Sequence, residues 1–245
     1  KVVEHLAYRG ELMKAYLLLR HAPSYIEEEE KVLIWTKEIK NRLDDIASIQ
    51  NTGLVKGKFN NAFGSPEDIT KIVKWNKLKE FVLDKKLKAL CDIGCYTGWV
   101  GRALSKYGIA VHGIDVHPVI MQIAAFASVG TLATFEYLPV QKLGYTHPKK
   151  FDGIILFDVL EHCFDTQLVI DSCEMALQDG GWVIINLPHI EGEQIANHHP
   201  LQEHEHLYSF SHKRVHELFA YKKNVTIKEI LNEGNAINWW ITYQI

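Results

Sequence analysis

Residues 90–98 read LCDIGCYTG and run straight into WVGRALSKYG. An apolar run that ends on an acid and two spaced glycines, Gly94 and Gly98, predicts a strand, a tight turn and a helix in immediate succession. Glycine admits the left-handed backbone that such a turn needs and leaves room for close approach. The helical stretch places Val100, Ala103, Leu104 and Tyr107 on one face and stops at Gly108, a residue suited to a helix C-terminus.

Working outward, short apolar runs stand at 89–93, 110–115, 153–158 and 182–187, with a weaker one at 133–137. Amphipathic stretches separate them, and strand–helix alternation at this rhythm predicts a parallel sheet covered on both faces. A helix over 213–221 and strand-like runs at 225–230 and 237–245 follow, the last two suited to an antiparallel hairpin at the sheet edge. The expected fold class is therefore α/β, a doubly wound, Rossmann-like, seven-stranded sheet, mostly parallel, with an antiparallel C-terminal hairpin.

Upstream the periodicity is helical. Leu12, Ala15, Tyr16 and Leu19, then Val32, Trp35, Ile39, Leu43 and Ile46 beyond Ala22-Pro23-Ser24, predict a helical extension over 1–50. Its GELMKA stretch and the helix end at Ala22-Pro23 resemble one helix pair from the end of a tetratricopeptide array, although a stable array needs about three repeats. The extension can pack on the main domain, dimerise or hold a protein partner. Residues 51–64, NTGLVKGKFNNAFG, lack any sustained period and read as a linker or lid loop. The main domain spans 65–245 and opens on a helix capped by Ser65 with Pro66 in its first turn, its stripe formed by Ile69, Ile72, Val73 and Leu78.

Composition narrows the function. At 245 residues and 47% hydrophobic, the chain can bury a large core. A net charge of -3, with lysines scattered among acids, provides no broad positive field for a nucleic-acid backbone. The four cysteines, Cys91, Cys95, Cys163 and Cys173, form no CxxC pair, which argues against a disulfide framework or zinc knuckle and fits a reducing cytoplasm. No run approaches the roughly 18 apolar residues of a membrane span, and the first residues lack a secretory apolar core.

A doubly wound sheet binds its ligands at the carboxyl ends of the strands, where Asp92, Gly94 and Gly98 fall. The spacing D-x-G-x-x-x-G is not the G-x-G-x-x-G turn that seats a pyrophosphate, and Asp92 would repel phosphate. A carboxylate there suits an ammonium group. Asp115, closing the next strand, suits ribose hydroxyls, so a nucleoside joined to an amino acid satisfies both acids. Taken in order, DIGCYTG, GIDVHP, FDGIILFDVLEHCFD and LQDGGWVIINLP resemble the class I S-adenosylmethionine-dependent methyltransferases. The likeness covers roughly 65–245 and is closest to the subgroup of ubiquinone-biosynthesis O-methyltransferases and sugar or glycan methyltransferases.

That resemblance implies S-adenosylmethionine as cofactor. It puts Asp92, Gly94, Cys95 and Gly98 around the amino-acid part, Asp115 on the ribose, Val116 beside the adenine, and Phe157 and Asp158 under the sulfonium. After the third strand the family often has an acid followed by a small residue; Glu136-Tyr137-Leu138 departs from that pattern. Gly180-Gly181, Gly108 and Cys91 are expected to serve as turn, cap and packing.

Methyl transfer from a sulfonium is an in-line displacement, so alignment and water exclusion dominate, with a base useful for a hydroxyl acceptor. His162, directly after Glu161, is the first candidate base, with a helix-start role as the structural alternative. The segment 189–211 carries His189, His198, His199, His204 and His206 with Glu203 and Glu205; these residue types can ligate a metal, yet their spacing matches no metal signature and none is expected. The family often has E-H-x-x-x-F-S here, which implies that Glu205, His206 and Ser209-Phe210-Ser211 form the acceptor wall, with His206 the second candidate base. Trp239-Trp240 can line a planar or sugar acceptor, although strand neighbours point to opposite faces and at least one belongs to the core.

The expected function is methyl transfer to a hydroxyl of a small acceptor, with a sugar or glycan favoured and a quinone-like phenol the nearest rival. A protein or nucleic-acid acceptor recruited by the N-terminal helices, a non-catalytic scaffold and a nicotinamide oxidoreductase are the other readings.

Overall fold

In the computed structural model the opening stretch forms β1 (Ala89–Ile93), a turn, and α2 (Trp99–Ser105), preceded by α1 (Val73–Asp84). There follow β2 (Ala110–Asp115), α3 (Pro118–Ala127), β3 (Ala133–Tyr137), the short α4 (Leu143–Thr146), β4 (Phe151–Phe157), α5 (Thr166–Ala176), β5 (Leu177–Pro188), α6 (His212–Phe219), β6 (Lys223–Leu231) and β7 (Ile237–Gln244). The structure describes residues 72–190, 207, 209–231 and 237–245. The N-terminal hairpin, the 51–64 linker, the helix start at Ser65 and the residues His198, His199, Glu203, His204, Glu205 and His206 lie outside the described residues.

The strands form one seven-stranded sheet in the order β3-β2-β1-β4-β5-β7-β6. The first five are parallel, and β7 runs antiparallel between β5 and β6. This is the expected mixed sheet with its antiparallel C-terminal pair.

Side-chain alternation splits the apolar residues between two faces. Cys91, Ile93, Ile154, Leu156, Val183, Ile185, Trp239 and Ile241 pack with Val169, Ile170 and Cys173 of α5 and Val215 and Phe219 of α6. Leu90, Val111, Ile155, Ile184 and Trp240 face the other way, against Trp75, Leu78 and Val82 of α1 and Val100 and Leu104 of α2. Helices on both faces bury most residues of β1, β2, β4 and β7, which explains why those strands read as continuous apolar runs, whereas the edge strands β3 and β6 stay largely unburied.

Four details differ from the sequence reading. α2 stops at Ser105, and Tyr107 is 43% exposed because the chain turns through Tyr107 N–H to Leu104 O (2.9 Å) and Gly108 N–H to Ser105 O (3.0 Å). β5 begins at Leu177, ahead of the expected Trp182; the pairing shifts from Phe151↔Leu177 to Gly153↔Trp182 around Gly180, whose φ is 79°. Asp158 lies just past β4 with φ 54°, outside the strand assigned to it. α6 starts at His212, where the Ser211 hydroxyl accepts from Arg214 N–H at 3.3 Å. Among the described residues, no helix is long and apolar enough to cross a membrane.

Candidate active site

The site begins where the β1–α2 turn folds back onto β2. Cys95 N–H donates to Ile114 O (3.1 Å) and Gly98 N–H to Cys95 O (2.9 Å), closing the turn. Gly94 has φ 63°, and a Cβ there would lie 2.9 Å from Val159 Cγ2. Gly98 has φ 73°, and its Cβ would stand 2.3 Å from the Phe135 ring. Both positions therefore require glycine on backbone and packing grounds. At Gly98 the space that a side chain would need is filled from within by Phe135, a neighbour that sequence spacing did not point to.

Asp115, at 8% exposure, is held from two sides. Its Oδ2 accepts from Tyr96 N–H (3.1 Å) and its Oδ1 from His117 N–H (3.0 Å). A carboxylate has about four acceptor positions, so two remain for hydroxyls. Asp92, at 3% exposure, accepts no hydrogen bond from the described residues. Burial, and then the nearby Asp115, push its pKa from 3.8 up to about 8. A buried carboxyl without a donor has room for a cationic partner, which an ammonium-bearing nucleoside provides.

The other predicted residues divide into two groups. Val116, 53% exposed, stands beyond the end of β2, open to a ligand. Phe157 at the end of β4 lies against Trp240, ring centroids 5.9 Å apart, with Lys74 Nζ 5.8 Å from its centre. Lys74 of α1 also pairs with Asp158, and this cation was not legible in the sequence, where it stands far from every landmark. Cys95, in contrast, contributes its backbone to the turn while its side chain packs inward, Sγ 3.8 Å from Met121 Sδ. Burial raises the pKa of that thiol.

His162 is exposed at the end of a single 3-10 turn, Leu160–His162, just past β4, and its neighbour Glu161 is fully buried. Leu207 N–H donates to Glu161 O at 2.7 Å, so the chain beyond β5 returns to the turn that carries His162. His206 itself is outside the described residues. His189 is buried; its Nε2 is 3.7 Å from Glu229 Oε1, which His212 Nε2 approaches to 2.8 Å. Trp239 and Trp240 are both buried, on opposite faces, and Trp239 Nε1 donates to Phe210 O at 2.8 Å.

A doubly wound sheet with two acids at adjacent strand ends and a glycine turn between them places the protein in the Rossmann-like class. Residues 70–221 match the family model described as a methyltransferase domain, and the chain belongs to that family. It is 26% identical over 113 residues to a ubiquinone biosynthesis O-methyltransferase of Nitrosomonas europaea, a match covering 45% of this chain and 48% of the relative. Its identity to the enzyme of the same name from Hydrogenovibrio crunogenus is 30% over 101 residues, 40% of this chain and 42% of the relative. The chain thus spans about half the length of these curated relatives. The crystal structure of an S-adenosylmethionine-dependent methyltransferase from Archaeoglobus fulgidus shares the fold, with TM-score 0.58, 13% identity and coverage of 76% of this chain and 98% of that one.

Proposed function

We propose that the protein transfers a methyl group from S-adenosylmethionine to the oxygen of a small hydroxylated acceptor, and that a quinone-like phenol suits it better than a sugar. The observation that carries the cofactor assignment is the pair of buried carboxylates, Asp92 with no donor among the described residues and Asp115 with acceptor positions to spare, on either side of one glycine turn. When bound, S-adenosylmethionine supplies an electrophilic methyl group on a sulfonium. Asp92 offsets the ammonium, Asp115 accepts from the ribose, and Phe157 with Asp158 underlies the reacting end. His162, on the turn past β4, accepts the proton that the acceptor hydroxyl releases.

The expected preference for a sugar or glycan gives way to the phenol for one reason. Ubiquinone biosynthesis O-methyltransferases are among the curated relatives to which the chain is similar. Membership of the methyltransferase domain family disfavours the nicotinamide oxidoreductase reading. A cytoplasmic location is part of this proposal and accords with four free cysteines.

A labelled-methyl transfer assay with catechol-type phenols and with monosaccharides in parallel tests both levels. Transfer to phenols and not to sugars is expected. Transfer only to sugars would reverse the acceptor assignment, and calorimetry without any S-adenosylmethionine binding would remove the cofactor assignment itself.

A further inference from the structure

On β2, three residues before Asp115, His112 faces a cluster that methyl transfer does not use. At about 3.3 Å per strand residue, it lies roughly 10 Å back along the strand from the cofactor end. Glu136 of β3 and His147, just after α4, complete the group. The three side chains come from three successive segments of the fold and are half-buried.

Glu136 Oε2 stands 3.1 Å from His112 Nε2 and 3.4 Å from His147 Nε2, and all three ligand atoms lie within 4.8 Å of one another. Two ligands at about 2.0–2.1 Å from a tetrahedral zinc ion are roughly 3.3–3.4 Å apart, so both histidine nitrogens already stand at ligand spacing from the carboxylate.

Each imidazole also has a hydroxyl partner on its far ring nitrogen. The Thr146 hydroxyl is within donating reach of two carbonyls, Lys142 O (3.1 Å) and Leu143 O (3.3 Å). Thr146 Oγ1 is also 2.8 Å from His147 Nδ1, and in the tautomer with a proton on Nδ1 it accepts from that ring. In that neutral tautomer Nε2 presents a lone pair to the Glu136 carboxylate, an arrangement that suits a cation between them. His112 has the same layout, with Nδ1 2.9 Å from Thr134 Oγ1 and Nε2 on Glu136. A second partner on the far ring nitrogen is what orients histidines that ligate metals. Lys150 opposes a cation here, but its ammonium is drawn over the Phe151 ring, 5.4 Å from the centroid.

We propose that His112 Nε2, a Glu136 carboxylate oxygen and His147 Nε2 bind one divalent transition-metal ion of the zinc class, with water completing the shell. Two imidazoles and one carboxylate suit zinc better than magnesium or calcium, which prefer all-oxygen shells. Bound there, the ion ties β2, β3 and the segment after α4 together.

Zinc titration of the full chain against a chromogenic competing chelator tests this. Wild type is expected to hold one more zinc per chain than the His112→Ala/His147→Ala double variant, which discounts the histidines elsewhere in the chain. Thr146→Val, an exposed near-isosteric change that keeps all three ligands, should leave that extra zinc bound about 10- to 100-fold more weakly, because only the ring-orienting partner is lost. Equal zinc binding by wild type and the double variant overturns the proposal. If the double variant does not fold, equal affinity in wild type and Thr146→Val overturns it instead.

Discussion

Tyr96 N–H donates to Asp115 Oδ2 at 3.1 Å, so the acid that closes β2 also holds the middle of the turn that follows β1. With the ribose assigned to Asp115 as proposed, recognition and loop order are joined in one side chain. Asp115→Ala removes the acceptor for two backbone donors as well as for the ribose. S-adenosylmethionine binding, measured by calorimetry, should weaken by at least about tenfold, the loss of a charged hydrogen bond being about 1.5–3 kcal/mol. Unchanged affinity would place the ribose elsewhere.

Asp92 carries a pH dependence of definite sign. Its carboxyl titrates near 8 in the folded protein and near 3.8 when unperturbed, so the folded state binds the extra proton. That contribution to stability is complete below about 4 and is lost as pH rises toward about 8. Asp92→Asn, which never ionises, should therefore gain stability relative to wild type as pH rises across this window, up to a few kcal/mol. Thermal unfolding at pH 4, 6 and 8 checks it, and a constant difference would contradict the buried-acid assignment.

The same group should govern cofactor affinity. An ammonium beside Asp92 favours the ionised form, so acidification below about 8 should weaken S-adenosylmethionine binding in wild type. In Asp92→Asn the affinity should be lower and this acid limb flat. An identical pH profile in both proteins would separate Asp92 from the ligand.

Gly98→Ala brings a Cβ to 2.3 Å from the Phe135 ring at a residue whose φ is 73°. The left-handed backbone costs about 1–2 kcal/mol and overpacking about 1–3 kcal/mol more. Denaturant unfolding should show a loss of that order, and Phe135→Leu should recover part of it in the double variant. Strict additivity would mean that the ring is not the obstacle.

Lys74 and Asp158 form an ion pair at the carboxyl end of β4, with side-chain exposures of 18% and 41%. Partly exposed pairs contribute about 0–1 kcal/mol, so Lys74→Ala should barely change stability. It should instead raise the KM for S-adenosylmethionine by releasing Asp158 and uncovering Phe157. Normal kinetics would confine the pair to the surface.

His162→Ala should lower kcat well beyond any change in cofactor affinity, by about 10²–10⁴-fold if the imidazole is the base. A methyl-transfer rate equal to wild type would leave His162 a turn residue.

Much of the sheet was legible because parallel strands covered on both faces must be apolar throughout, and β1, β2 and β4 end where an acid or glycine interrupts that run. The acids Asp92 and Asp115 were legible for the same reason, since a charge that closes a buried strand is conspicuous. The end of α2 at Ser105 was not: the face pattern continues to Tyr107, while the turn that stops the helix is set by backbone bonds to Leu104 and Ser105. The early start of β5 was equally hidden, because Gln178, Asp179 and Gly180 look like a turn, and the strand begins at Leu177 only because Phe151 of β4 pairs with it ahead of the bulge.

By itself the sequence determined the order of strands and helices, the mixed sheet and the two acids that flank one glycine turn. Local periodicity and strand-end chemistry are written in neighbouring residues. Only the tertiary structure decided that Phe135 fills the space at Gly98, that Lys74 meets Asp158, that both tryptophans of β7 are buried and that Glu136 joins His112 and His147. Those pairs lie on separate strands and helices, and their meeting depends on register and side-chain direction across the sheet, which spacing along one chain does not encode.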